Sequence, residues 1–163
     1  MNNNDILKRL RYAFDFSDKQ SCKLFSLSSD SAVEMSPATF SAMLAKEEDS
    51  HYIECSDQQL AAFLDGFIVE RRGAREPKPG AKPLPPVTRL SKNDVLKKLR
   101  IALNYKEEDM LATLKLGGTA LSKSELSAFF RKPEHKHFRQ CGNQVLRNFI
   151  KGVTLKQRPD TTS

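Results

Sequence analysis

Asn4-Asp5-Ile6-Leu7-Lys8-Arg9-Leu10-Arg11 returns 89 positions later as Asn93-Asp94-Val95-Leu96-Lys97-Lys98-Leu99-Arg100. A second block, His51-Tyr52-Ile53-Glu54-Cys55-Ser56-Asp57-Gln58-Gln59-Leu60, returns 86 positions later as His137-Phe138-Arg139-Gln140-Cys141-Gly142-Asn143-Gln144-Val145-Leu146. In both copies a phenylalanine follows three residues on (Phe63, Phe149), and a glycine three after that (Gly66, Gly152). Two blocks in the same order, separated by a single change of offset, mark an internal duplication, which governs the reading of everything else.

Around these blocks the apolar spacing is helical. Leu60, Phe63, Leu64, Phe67 and Ile68 form one stripe at helical intervals, and Leu146, Phe149, Ile150 and Val153 repeat it. Ile6, Leu7, Leu10, Ala13 and Phe14 form another, matched by Val95, Leu96, Leu99, Ala102 and Leu103. Phe40, Met43 and Leu44 answer to Leu126, Phe129 and Phe130, and a less regular stripe runs through Cys22, Phe25 and Leu27, and through Met110, Leu111 and Leu114. Start signals agree with this register. Ser122 with Glu125 is a capping box, Ser36-Pro37 places proline at a first helical position, and Ser91 with Asp94 caps the opening helix of the second copy. The expected helices span 4–15, 18–28, 37–46 and 57–72, then 93–104, 107–116, 123–132 and 143–157. No run alternates with period two over strand length. The expected fold is all-α, with two tandem pseudo-symmetric repeats of about four helices each.

Residues 74–91 carry five of the eight prolines. Proline removes backbone donors and turns its predecessor away from helix, so this stretch reads as an extended linker, with a docking ligand for aromatic grooves as the other reading. The expected domains are a first repeat at 1–73, the linker at 74–91, a second repeat at 92–158 and a tail at 159–163. Each copy is about 70 residues, near the size at which one core is marginal alone, so the halves are expected to pack together or the protein to oligomerise. No stretch approaches the roughly 20 apolar residues of a membrane span. Met1-Asn2-Asn3-Asn4-Asp5 lacks the basic start and apolar core of a signal peptide. Three cysteines are too few for a disulfide framework, and reduced thiols in the cytoplasm are the natural reading.

The opening Asn-Asp-[Ile/Val]-Leu-Lys-x-Leu-Arg motif and the His-[Tyr/Phe]-x-x-Cys-x-[Asp/Asn]-Gln-x-Leu-x-x-Phe-[Leu/Ile]-x-Gly block, each present twice, resemble the YehS-like family of small bacterial proteins. That family is built from a duplicated domain of unknown function. The resemblance covers nearly the whole chain except the linker and the tail. It implies a helical, cytoplasmic protein and carries over no activity, cofactor or catalytic residue.

Net charge is +7, unevenly spread: −4 over residues 1–73, +3 over 74–91 and +8 over 92–163. The copies have diverged on their surfaces, and a basic half suits a polyanionic partner or an electrostatic contact between the halves. Arg131-Lys132-Pro133-Glu134-His135-Lys136-His137-Phe138-Arg139 gathers four cations, two imidazoles and an aromatic, where the first copy has the acidic Ala45-Lys46-Glu47-Glu48-Asp49-Ser50-His51-Tyr52-Ile53. Lys97, Lys98 and Arg100, with Arg131, Lys132, Lys136 and Arg139, are the candidate nucleic-acid contacts, because such clusters bind phosphates without reading sequence. A solvated helix face is the alternative meaning of the same charges.

His51 with Cys55, and His137 with Cys141, admit a thiol nucleophile, since an adjacent base lowers a thiol pKa. No third orienting group accompanies them. The same spacing places each cysteine just before a helix cap, with Leu60 and Leu146 at the fourth helical position, which is a hydrophobic staple. Gln58 and Gln144 read as first-turn backbone satisfiers, and Gly66 and Gly152 as points of close helix approach. His135, His137 and Cys141 lack the paired short spacings of structural zinc, and His135 has Asp49 as its mate. The expectation is therefore a binding module without catalytic residue, metal or cofactor, whose partner is nucleic acid or another polyanion. A protein–protein adaptor or homo-oligomer is the alternative, and a thiol or metal site at the His-Cys pairs the second alternative.

Overall fold

The computed structural model describes residues 1–28, 33–73, 79–80, 87 and 89–159. Among them are eight α-helices and no strand: α1 (Asn3–Ala13), α2 (Asp18–Leu27), α3 (Pro37–Leu44), α4 (Asp57–Arg72), α5 (Lys92–Leu103), α6 (Glu107–Leu116), α7 (Lys123–Phe129) and α8 (Asn143–Gln157). Most of the proline-rich stretch lies outside the described residues.

Local chemistry sets where the helices begin. Asn2 with Asp5, Ser17 with Gln20, Ser56 with Gln59, Ser91 with Asp94 and Ser122 with Glu125 form reciprocal capping boxes. Each satisfies backbone donors that the first helical turn leaves unpaired. In the first copy the box partner is Gln59, one residue beyond the Gln58 read from the sequence. Ends were less legible. α1 stops at Ala13 because Asp15 turns left-handed at φ 52°. α7 stops at Phe129, three residues short of expectation, ahead of Lys132, which Pro133 biases away from helix. Asn104, at φ 56°, ends α5 in the left-handed conformation that asparagine tolerates.

The two repeats share one core, in which Phe63, Leu64 and Phe67 of the first belong with Leu96, Leu99 and Phe149 of the second. Its topology exchanges partners between the halves. α4 packs on α5, and the equivalent pair α8 packs on α1, so the first helix of each repeat rests on the last helix of the other. Within a repeat, the last helix packs on the second, α4 on α2 and α8 on α6. Several polar ties cross the boundary. Lys98 pairs with Asp65, the Leu90 N–H donates to Asp57 (3.0 Å), and Arg158 donates to the Tyr12 carbonyl (3.0 Å) with its guanidinium 4.2 Å from the Tyr12 ring centre.

The interior has diverged along with the surface. The first repeat packs Phe14, Phe16, Phe25, Phe40, Phe63 and Phe67 in a chain of ring contacts. The second keeps Phe149 against Tyr105 and puts Leu103, Leu114, Leu126 and Val153 at the other matching positions. The copies keep the motif residues, among them Asn4 and Asn93, Cys55 and Cys141, and Phe63 and Phe149, and differ in the aromatic filling around them.

Candidate functional site

The repeated His-Cys blocks form the loops that join α3 to α4 and α7 to α8. Each loop is held from below by one asparagine of the opening motif. Asn4 is buried and donates from Nδ2 to the carbonyls of Met43 (3.0 Å) and Ile53 (2.9 Å), while its Oδ1 accepts the Cys55 N–H (2.9 Å). Asn93 does the same with Phe129 (2.9 Å), Arg139 (2.9 Å) and the Cys141 N–H (2.8 Å). Two donors and one acceptor are thus all used, and three backbone groups, two of them buried, are satisfied.

The loops themselves turn alike. Ile53 N–H meets the Ala42 carbonyl (3.2 Å) and Arg139 N–H the Ala128 carbonyl (3.0 Å); Tyr52 bonds back to Asp49 and Phe138 to His135. Against each loop lies an open groove. The first, about 530 Å³, is lined by Ala38, Thr39, Ala42, Ala45, Asp49, His51 and Ile53 among others. The second, about 560 Å³, is lined at matching positions by Ser124, Glu125, Ala128, Arg131, His137 and Arg139, with Lys136 and Phe138 added. The duplication has produced one frame with two electrostatic characters.

Polar contacts set the lip of the second groove. The His137 N–H lies 3.0 Å from His135 Nδ1, and Arg131 Nη1 lies 3.3 Å from His135 Nε2. A guanidinium only donates and a neutral imidazole has one lone pair, so His135 accepts from one of the two at a time. The first copy has the same turn, with the His51 N–H donating to Asp49 Oδ1 at 2.8 Å, but Ala45 stands where Arg131 does. There the backbone donor is met by a carboxylate, and an alanine takes the place of the guanidinium. Within the second groove, Glu125 takes up part of the positive charge, 3.5 Å from Arg139. The Ser122 backbone N–H, then its hydroxyl, hold that carboxyl below the usual glutamate range and keep it ionised.

The cationic candidates divide by what they touch. Arg131, Lys132, Lys136 and Arg139 are exposed on or beside the loop. Arg100 lies flat over the Phe130 ring (4.8 Å) and donates to the Tyr105 carbonyl (3.3 Å), next to the start of that loop. Lys97 is exposed on α5; its mate Lys8 reaches the Ala45 carbonyl (3.0 Å), the position equivalent to Arg131. Lys98 is engaged with Asp65 across the repeat boundary, part of the tie between halves.

The signature residues occupy the frame. Cys55 and Cys141 are 3% and 2% exposed, beside the buried Leu60 and Leu146 of the same core. Burial pushes the Cys55 thiol up to about 12, with Asp57 adding to it, and the Cys141 thiol up to about 11. His51 and His137 are exposed on the loops above. A protonated, enclosed thiol is a poor nucleophile. Accordingly, iodoacetamide at neutral pH is expected to modify the half-buried Cys22 first and to reach Cys55 and Cys141 only after denaturation, as peptide mass spectrometry would read. Because both thiols ionise more easily unfolded, near 9.0, than folded, their burial favours folding below that pH, and the contribution is lost as pH climbs toward 11 to 12.

Gln144 donates to Asn148 (2.9 Å) and accepts from Arg147 (3.2 Å) on the α8 surface, and Gln58 is half-buried in the first turn of α4. Gly66 meets the α2 backbone at Leu24, and Gly152 meets the α6 backbone at the equivalent Thr113. His135 and His137 have rings 5.6 Å apart while Cys141 is buried, and among the described residues no three His, Cys, Asp or Glu side chains converge as metal ligands. No helix is long and apolar enough to cross a membrane among the described residues. The clamp asparagines and the Arg131–His135 pair were not singled out from sequence. Their one signal was positional: Asn4 and Asn93 open the repeated motif, and Arg131 and His135 replace Ala45 and Asp49 within it.

A family model described as "Protein of unknown function (DUF1456)" matches residues 3–73 and again residues 92–158. The chain is 38% identical over 157 residues to "Uncharacterized protein YehS" of Escherichia coli (strain K12), an alignment covering 96% of this chain and 97% of that protein. No solved structure matches.

Proposed function

The chain belongs to that family of unknown function along both of its halves, and from this premise we propose that it is a cytoplasmic, non-enzymatic binding module whose basic second repeat engages nucleic acid. The observation that carries the reading is the gathering of Arg131, Lys136 and Arg139 around one groove, with Lys132 exposed beside it. A phosphate oxygen is the acceptor such an arrangement favours, and flanking cations supply the sequence-independent attraction of a polyanion. The twin groove, with Ala45, Ser50 and Ile53 where Arg131, Lys136 and Arg139 stand, takes no part.

The test is a fluorescence-anisotropy titration of the purified protein with a labelled oligonucleotide at several salt concentrations. Binding is expected to weaken linearly in log–log form as salt rises. The triple variant Arg131→Glu, Lys132→Glu, Lys136→Glu is expected to lose at least about tenfold in affinity at low salt and to flatten the salt slope. All three side chains are exposed, so the fold should survive the change. Undiminished binding by the variant would remove the groove from the interface, and absence of binding by the parent protein would end the reading.

An adaptor role has its own support in the first groove, where Ile53 is 42% exposed beside Ala38, Ala42 and Ala45. That reading predicts a protein partner whose capture is weakened by Ile53→Asp and untouched by the triple reversal.

A further inference from the structure

We infer that the basic groove takes single-stranded nucleic acid in preference to duplex, with one base laid on Phe138 and its flanking phosphates held by Arg131, Lys136 and Arg139. The inference rests on the nucleic-acid reading above and specifies its ligand. Phe138 is half-buried and lines the groove, with Arg131, Lys136, His137 and Arg139 around it. The aromatic side chain and the cations therefore line the same open groove. In a duplex the base faces are hidden by stacking, and only phosphates and groove edges are presented. A ring among cations is reached by an unstacked base with its own phosphates on either side, the combination that single-strand binders use.

The groove cations all come from one nine-residue loop, residues 131–139, a short patch that suits a nucleotide or two better than both backbones of a duplex. On α5, Lys98 is engaged with Asp65 and Arg100 lies over Phe130. The first repeat provides the contrast. Tyr52 stands at the Phe138 position; desolvation first, then the carboxylates of Glu47 and Glu54, raise its phenol pKa, and those carboxylates would repel a phosphate.

The experiment compares three probes on the unmodified full-length protein at one low salt concentration: a short labelled oligothymidylate, a mixed-sequence duplex of equal length, and an abasic oligomer with the same phosphates and no bases. Oligothymidylate is expected to bind about tenfold or more tighter than either, the size of one base–aromatic stack. Phe138→Ala should bring oligothymidylate down to the abasic level while leaving the salt slope unchanged, and Phe138→Tyr should restore it. Equal affinity for all three probes would overturn the single-strand inference and leave the nucleic-acid reading standing. Binding of none of them would bring down that reading and the inference together. If Phe138→Ala fails to fold, the ratio of oligothymidylate to abasic oligomer on the parent protein decides the matter by itself.

Discussion

Gly66→Ala is expected to destabilise the protein by about 3 kcal/mol or more, despite alanine being the better helix former by roughly 1 kcal/mol. A Cβ built on Gly66 falls 1.6 Å from the Leu24 carbonyl oxygen and 2.5 Å from its carbon. These are backbone atoms of α2, so no rotamer change clears them. The helices must separate, and Phe25, Phe63 and Leu64, all fully buried, lose close packing on both sides of the contact. Against a total stability of about 5–15 kcal/mol for an ordinary domain, that is a large fraction. Gly152→Ala repeats the experiment in the second half, where the added carbon meets the Thr113 carbonyl oxygen at 2.0 Å. Gly142→Ser is the control: nothing lies within 4 Å of its added carbon, and a serine there supplies the cap that Ser56 supplies in the first copy. It should leave stability unchanged or raise it by a few tenths of a kcal/mol. Urea denaturation followed by circular dichroism separates the three, and a Gly66→Ala protein as stable as its parent would refute the close approach of α2 and α4.

The second large effect belongs to the asparagine clamp. Asn4→Ala leaves the carbonyls of Met43 and Ile53 and the N–H of Cys55 without their partner in a site that is 1% exposed. Each buried group so orphaned costs about 1–3 kcal/mol, and since the three are neighbours the total is less than their sum, about 3–5 kcal/mol. Asn4→Asp is the sharper variant. It keeps the size and the acceptor for Cys55, but turns an oxygen toward two carbonyl oxygens in a buried site. It is expected to be at least as damaging as alanine and to recover partly at acid pH, where a protonated carboxyl can donate once. A clamp that mattered only by filling space would tolerate Asp at neutral pH better than Ala, and equilibrium unfolding across pH tests this. Because the clamped loop is also the wall of the groove, Asn93→Ala should weaken oligonucleotide binding together with stability, whereas the exposed-charge reversals change binding alone.

The contrast between these two sites is also a contrast in what could be read beforehand. Gly66 and Gly152 stand at matching places in two helical stripes, and a glycine kept inside a helix at that cost already implies something pressing on it. Capping was legible for the same reason: Ser91 with Asp94, or Ser122 with Glu125, acts within three residues of chain. Gln58 was singled out and Gln59 passed over because Gln58 is the one that recurs in the second copy, as Gln144. The clamp was not legible. Asn4 reaches partners 39 to 51 residues away, and nothing in its neighbours in sequence distinguishes it from a helix-start asparagine.

The amino-acid sequence alone determined the duplication, the eight helices, their starts and the opposite charge of the halves. All of these follow from interactions within a turn or two of chain, or from a count of side chains. Tertiary structure decided the rest: that the first helix of each repeat lies on the last helix of the other, that Lys98 is engaged with Asp65 while Lys132 and Lys136 remain exposed, and that Arg131, Lys136 and Arg139 line one groove. Such facts depend on where separate helices come to rest, and packing of a shared core fixes that position, which no local preference encodes.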